Sequence, residues 1–252
     1  QQKNIAVTYV PSYGEDTVAE FTFALLLAVM RRIREAAAQT RAGNFSVHNL
    51  RGHDLAGKTI GVIGCGRIGM NVIRIARAFR MRVLAYDPFQ KASVLKRSGA
   101  APTELARLVK TSDIITLHAP LTPKTEHLLN AARFSAMKHG VVIINTARGG
   151  LIDTNALFQA LRKGTAQYAG LDVFEGEEAL AQEGRLALGK LSEHAVRTVL
   201  EDHLLLHDDR VLMTPHLAFN THEAVERIWH TTAGNIAAFA NGKPTNCIPA
   251  QD

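Results

Sequence analysis

Short runs of consecutive apolar residues alternate along the chain with longer stretches in which apolar positions recur every three or four residues. The runs TIGVI (59–63), RVLAY (82–86), IITLH (114–118), VVIIN (141–145), QYAGL (167–171) and VLM (211–213) are short and rich in β-branched residues, which predicts strands. Their near-continuous apolar character predicts burial on both faces, as in a parallel sheet covered by helices. Between them, RIGMNVIRIARAF sets Ile68, Val72, Ile75, Ala76 and Phe79 on one helical stripe. DTNALFQALRKG opens on Asp153 as a cap and closes on Gly164. Six strands alternating with helices predict an α/β fold built on a doubly wound parallel sheet, Rossmann-like in its strand count.

The edges of the chain read differently. Residues 15–40 predict one long helix after a short strand, IAVTY, and residues 221–244 predict a final helix ended by Gly242 and Pro244. Both are expected to be helical struts toward a second domain. The expected division is a dinucleotide-binding domain over 15–220, with 1–14 and 221–252 as remnants or linkers of a domain mostly absent from this chain.

Composition narrows the class. A chain of 252 residues with 46% hydrophobic and 21% charged residues is ordinary for a globular protein. The most apolar run, VAEFTFALLLAVM (18–30), is too short for a bilayer and is interrupted by Glu20 and Thr22, so a buried helix is expected and no membrane partner. Two cysteines, Cys65 and Cys247, exclude a disulfide framework and make a reducing cytoplasm the expected compartment. No secretory signal opens the chain and no initiator Met is present, which predicts a fragment or a processed product. The formal charge of +6 is spread out. Its densest point, RRIRE (31–35), suits a solvated helix end, no nucleic-acid module accompanies it, and the excess suits an anionic cofactor and substrate.

The chemistry concentrates after the first strand. Gly64, Gly66 and Gly69 follow TIGVI at once, and a helix opens inside the motif. One glycine serves the turn, one the close approach of a pyrophosphate, one the packing of helix on strand; the phosphates would sit on the free N–H groups of the helix start. Arg67 could add a cation there, and Ile68 lies in the same turn. Cys65 reads as a small residue tolerated in the loop, with oxidative blocking of the cofactor as a remote alternative. Asp87 ends the second strand, 18 residues after Gly69, where a carboxylate bonds ribose hydroxyls and repels a 2′-phosphate. NAD is therefore expected over NADP.

Ligands of doubly wound sheets bind beyond the carboxyl ends of the strands. Those ends read HAPLTPKT (118–125), NTARGG (145–150), LDVFEGEE (171–178) and TPHLAF (214–219). Transfer of a hydride from a 2-hydroxy acid needs a planar cation for the carboxylate, which Arg148 offers. It needs a base for the hydroxyl proton, for which a histidine suits neutral pH, and a carboxylate to orient that imidazole and stabilise its charged form. Read singly, the arginine is a surface ion pair, the Pro-His a turn and the acidic run a solvated loop.

With AEFTFALLLAVMRRI, GHDLAGKTIGVIGCGRIG, HAPLTPKTEHLLN, NTARGGLIDTNAL, GLDVFEGE and TPHLAF in order, the chain resembles the D-isomer-specific 2-hydroxyacid dehydrogenases from about residue 4 to 244. The resemblance implies Arg148 as the carboxylate anchor, His216 as the acid/base and Glu177 as its partner. It places Asp172 near the nicotinamide carboxamide, and His118, Ala119, Pro120, Thr125, Thr146 and Ala147 on loops lining the NAD site. The family's formate dehydrogenases carry glutamine where Glu177 stands, so this chain looks built for a hydroxyl proton.

Two departures stand out. Only the last strand of the family's N-terminal substrate-binding domain, NIAVTYVPSY, is present. Where many members have Pro after the catalytic Glu, this chain has Glu178 and then a longer segment to residue 209, which looks closest to the D-lactate dehydrogenase branch. That segment has helical periodicity around Val196, Val199, Leu200 and Leu204, expected to pack at the cleft edge. Its histidines at 194, 203 and 207 fit no metal spacing, and no metal is expected.

The leading expectation is an NAD-dependent oxidoreductase interconverting a D-2-hydroxy acid and its 2-oxo acid, acting as a homodimer through the NAD-binding domain, with helix 15–40 as a candidate surface. The alternative is a nicotinamide-sensing binding protein resembling the C-terminal-binding-protein corepressors, which keep the same Arg/Glu/His set. An NAD-dependent hydrolase of the adenosylhomocysteine type fits the Arg148–Glu177–His216 spacing less well.

Overall fold

The structure, a computed structural model, describes residues 5–177 and 193–248. Its centre is a parallel sheet of seven strands in the order β3-β2-β1-β4-β5-β6-β7. The strands are β1 (Thr59–Ile63), β2 (Arg82–Tyr86), β3 (Ala101–Pro102), β4 (Ile114–Leu117), β5 (Val141–Asn145), β6 (Ala166–Leu171) and β7 (Val211–Met213). Every run predicted as a strand between residues 59 and 213 is one. The six-strand expectation is short by β3, a two-residue edge strand containing proline; an edge tolerates the missing N–H, and two residues carry no periodicity to read.

The central strands β1, β4 and β5 are buried along their whole length, as their uninterrupted apolar sequence requires. One face is covered by α1 (Glu15–Met30), α3 (Arg67–Ala78) and α4 (Ala92–Arg97), whose core joins Phe23, Leu26, Val72, Ile73 and Leu95 to Ile60, Val62, Val83 and Ile144. The other face is covered by α5 (Leu105–Thr111), α6 (Ala131–Ser135) and α7 (Thr154–Arg162), with Leu108, Phe134, Leu157 and Leu161 against Ile63, Ile115, Leu117 and Ile143. Asp153 caps α7 by accepting from Ala156 N–H at 2.9 Å. The strand order reverses between β1 and β4, which opens the crevice where the chemistry was expected.

Three expectations change. The predicted helix over 15–40 is two helices, because Arg32 takes a left-handed backbone (φ 51°) between α1 and α2 (Ile33–Arg41). No glycine or proline announces that break. α1 is part of the core: Leu26 is fully buried, and Phe23 stacks on Phe79 with centroids 5.4 Å apart, while α2 buries no residue. Second, IAVTY, expected as a short strand outside the sheet, is not a continuous strand. It forms a single antiparallel bridge, Thr8 to Cys247, with Tyr9 N–H donating to Asn246 C=O at 3.0 Å and Ile248 N–H to Val7 C=O at 2.9 Å. The tail after the last helix therefore meets the start of the chain.

Third, the inserted segment is helical only from residue 193 in the described chain, as α8 (Glu193–Leu206), against α7 and β7. Glu178 and the rest of the insertion to residue 192 lie outside the described residues, as does the side chain of His194. Of the apolar stripe expected to pack, only Val199 is buried; Val196, Leu200 and Leu204 are exposed, and α8 buries Thr198, Asp202 and Leu205 beside Val199. The final helix, α9 (His222–Ala240), is capped by Thr221, which accepts from Ala224 N–H at 3.1 Å, and leaves Trp229, Ile236 and Phe239 exposed. Among the described residues no helix is long and apolar enough to cross a membrane.

If α1 belongs to the core, Leu26→Ala should destabilise the chain by roughly 2–5 kcal/mol, the range for emptying a buried leucine site. Ile33→Ala, on the half-exposed α2, should cost little. Urea unfolding of the two variants measures the difference.

Candidate active site

The crevice is assembled from strand ends. β1 runs into Gly64, whose φ of +87° turns the chain and whose missing Cβ leaves room for the His118–Ala119 backbone beyond β4. A Cβ at Gly69 would collide with the Gly64 carbonyl, so α3 could not lie this close to β1. Gly66 is different: a Cβ there meets none of the described residues within 4 Å. No side chain caps α3, so its first-turn N–H groups face this open space.

The Asp87 carboxylate accepts from Cys65 N–H at 2.7 Å with one oxygen, and from Phe89 N–H at 2.8 Å and Gln90 N–H at 3.1 Å with the other. An ionised carboxylate has about four acceptor sites, so one is left for a further donor. Beside it opens a 660 Å³ hollow lined by Tyr86, Gln90, Pro102, Thr103 and Arg107. Two residues of the loop itself are fixed by their surroundings. The Arg67 guanidinium, expected to add a cation, is paired with Glu15 at 3.0 Å. Cys65 is buried, and burial, reinforced by Asp87, pushes its thiol up to about 12, too high for thiolate chemistry.

On the other side of the glycine loop lies a 490 Å³ cleft lined by Ile68, His118, Ala119, Pro120, Thr146, Ala147, Arg148 and His216, with Tyr13 and Phe219 at its margin. Asn145, at the end of β5, holds the turn that presents Arg148. Its Oδ1 accepts from Ala147 N–H at 3.0 Å, and its amide donates to Arg148 C=O at 2.9 Å. Thr146 is fixed by a 2.9 Å hydroxyl contact with Thr22 of α1. Among the described residues no carboxylate pairs with Arg148, whose guanidinium donates only to Ala147 C=O, at 2.6 Å. Thr125, expected on the lining, instead ties its own turn by donating to Pro120 C=O at 2.7 Å.

His216 follows β7 in a left-handed conformation (φ 52°), uncommon for a non-glycine residue. The cause is Asp172, fully buried beyond β6. Its carboxylate accepts from Thr214 Oγ1 at 2.6 Å, Leu217 N–H at 2.9 Å and Ala218 N–H at 2.8 Å, and its backbone carbonyl accepts from His216 N–H at 2.9 Å. Asp172 was expected beside the nicotinamide carboxamide; in the structure its carboxylate holds the loop that carries His216. Five residues on, Glu177 Oε1 lies 2.8 Å from His216 Nδ1. The pair leaves Nε2 available, and Phe219 stands edge-on to the imidazole, its centroid 6.4 Å away.

Sequence reasoning missed the support behind Glu177. Glu175 Oε1 bonds His127 Nε2 at 2.6 Å, and Oε2 accepts from Thr154 Oγ1 at 3.0 Å. Burial works against the charge on His127, but the Glu175 bond, with Asp153 and Glu126 near, holds its imidazole above the ordinary value. Nothing in the spacing announced this pairing, since the two residues lie on separate loops.

One buried atom of the cleft has no partner among the described residues: His118 Nδ1, on a ring whose Nε2 is 2.9 Å from Thr116 Oγ1. Burial pushes this imidazole down to about 3, so it is neutral around pH 7. An unsatisfied nitrogen in the cleft wall, open space over Gly66, bare helix N–H groups and a carboxylate with spare capacity together fit a dinucleotide lying across the crevice. Among the described residues no cluster of His, Cys, Asp or Glu could hold a metal ion.

Residues 23–218 match the family model for the NAD binding domain of the D-isomer specific 2-hydroxyacid dehydrogenases. The chain belongs to that family. Its cofactor is accordingly NAD, and its class is the oxidoreductases. The dehydrogenase chain is 39% identical to the D-lactate dehydrogenase of Escherichia coli over 243 residues, 96% of this chain and 71% of that one. It is 42% identical to a 2-hydroxyacid dehydrogenase homolog of Haemophilus influenzae over the same shares. The crystal structure of D-lactate dehydrogenase from Aquifex aeolicus complexed with NAD and lactic acid superimposes with a TM-score of 0.88 at 38% identity, covering 100% of this chain and 75% of that one.

A histidine held neutral when folded but protonated when unfolded costs stability in acid. This dehydrogenase should therefore lose stability as pH falls from about 6.5 toward 3, the window between the unfolded and folded values of His118. His118→Asn should remove that part of the slope, read from urea midpoints across the pH series.

Proposed function

We propose that the chain carries the cofactor-binding and proton-transferring half of a D-2-hydroxy acid dehydrogenase acting on an acid of lactate size. The observation that carries this reading is the 2.8 Å His216–Glu177 pair in the same cleft as an arginine unpaired among the described residues. Bound NAD supplies the hydride acceptor, or as NADH the donor. Arg148 holds the substrate carboxylate with its planar fork. In the oxidative direction His216 Nε2 removes the hydroxyl proton, while Glu177 orients the ring and stabilises its positive form. In the reductive direction the same nitrogen returns the proton to the carbonyl oxygen. Asp87 bonds the adenosine ribose, and Gly64, Gly66 and Gly69 bring the start of α3 to the pyrophosphate.

Lactate size is favoured by relatives and neighbours named D-lactate dehydrogenase. A 38%-identical relative from Thermococcus litoralis is a glyoxylate reductase, so the panel of trial substrates must include glyoxylate. Residues 15–220 are assigned to the cofactor domain, and 1–14 with 221–252 to links with a substrate-binding domain. The exposed Ile33, Phe45 and Val47, in and beyond α2, support a homodimer through the cofactor domain, and the free thiols Cys65 and Cys247 a reducing cytoplasm.

NADH oxidation by the full-length protein against pyruvate, glyoxylate and larger 2-oxo acids tests the reading. Pyruvate turnover is expected; tight NADH binding without any turnover would favour a nicotinamide sensor instead. His216→Ala should lower kcat by roughly 10²–10⁴-fold with NADH affinity intact, and joint loss of both would count against its role. Gly66→Val should weaken NADH binding while leaving the melting temperature unchanged.

A further inference from the structure

The buried face of α8 carries a polar group that neither the hydride chemistry nor the core accounts for. Asp202 is fully buried. Its Oδ2 accepts from Gly176 N–H at 2.8 Å, and its Oδ1 is 3.5 Å from Thr154 Oγ1 at the start of α7. Gly176 lies between Glu175, anchored to His127 and Thr154, and Glu177, which meets His216. Three successive residues of one loop are thus each tied to a different element, and the middle tie is Asp202.

We propose that Asp202 is a positioning residue, which fixes through the Gly176 amide the loop that presents Glu177 to His216. The inference rests on the assignment of Glu177 and His216 above. A buried carboxylate is stable only if compensated, and among the described residues no cation pairs with Asp202. The groups that face it are acidic or neutral. From the loop after β6 comes Glu175, with His127 engaged on its far side; from α7 comes the Thr154 hydroxyl; on α8 itself stands Glu201, bonded to Arg197 and Asn155.

Burial, only partly offset by the Gly176 N–H and reinforced by the charges of Glu175 and Glu201, pushes the Asp202 carboxyl up to about 7. Below that pH it is a neutral acid able to share its proton with the neighbouring oxygens. Above it, a second negative charge stands beside Glu175 in a closed space. The folded value lies above the unfolded one, so the protonated folded state is favoured and stability falls as pH rises from about 4 to about 7. The loop behind Glu177 should loosen with it.

Two variants test this in the full-length protein. D202N keeps the shape and the acceptor of the neutral acid; D202A removes the tie. Deuterium exchange of the peptide covering 172–177 should speed up by roughly tenfold or more in D202A, the scale on which a lost hydrogen bond opens a segment, and stay at the parental level in D202N at pH 6. In the 2-oxo acid assay D202A should lose kcat by roughly tenfold to a hundredfold, the effect of a small misplacement. D202N should keep kcat at pH 6, and its kcat relative to the parent should rise between pH 6 and 9. Unchanged exchange in D202A overturns the positioning role, and a flat D202N-to-parent ratio overturns its link to pH. If the parent turns over no 2-oxo acid, the functional assignment falls, while the exchange measurement still decides whether Asp202 holds the loop.

Discussion

A single buried carboxylate organises the reactive end of this molecule. Asp172 sits beyond β6 with no exposed surface, and a charge there would be costly alone. Three donors from residues 214–218 surround it, so the price of its burial becomes the reason the loop has one shape. That shape includes the left-handed backbone of His216, which without such bracing would relax. Asp172 and Glu177 share one loop, so the acid that shapes the His216 backbone and the acid that touches its ring come from one short segment.

The sheet supplies the rest of the precision. Most residues facing the clefts lie at or just beyond the carboxyl end of a parallel strand or near the start of a helix. The register of β1, β4, β5, β6 and β7 therefore translates directly into the spacing of the glycine loop, His118, Arg148, Glu177 and His216. Side chains on rigid elements hold their geometry better than side chains on free loops. Where a loop is unavoidable, a local latch is present: Asn145 for the Arg148 turn, Thr125 for the turn after Pro120, and Glu175 with Asp202 for the approach to Glu177.

Much of this was legible in the residues. Apolar runs on both faces of a strand announce a parallel sheet, and glycine spacing after the first of them announces the dinucleotide turn. What stayed hidden shares a physical cause: it depends on contacts between distant segments. The break at Arg32 has no glycine to mark it. β3 is too short to show a period. Asp172 reads like any acid near a cofactor until the donors from residues 214–218 are seen around it. On α8 the sequence offers a convincing apolar stripe at Val196, Val199, Leu200 and Leu204, yet the helix buries only Val199 of it and turns Asp202 inward, because the partners of Asp202, Gly176 and Thr154, lie elsewhere in the chain.

The three glycines of the first turn are held in place by different demands. Gly64 and Gly69 are required by the protein itself, since any side chain there would strike its own backbone. Among the described residues nothing stands where a Gly66 side chain would begin. In a descendant released from binding a cofactor, mutation would meet resistance at the first and third positions and almost none at the second. Under the proposed function, the middle glycine is thus the one of the three that answers to the cofactor and not to the fold.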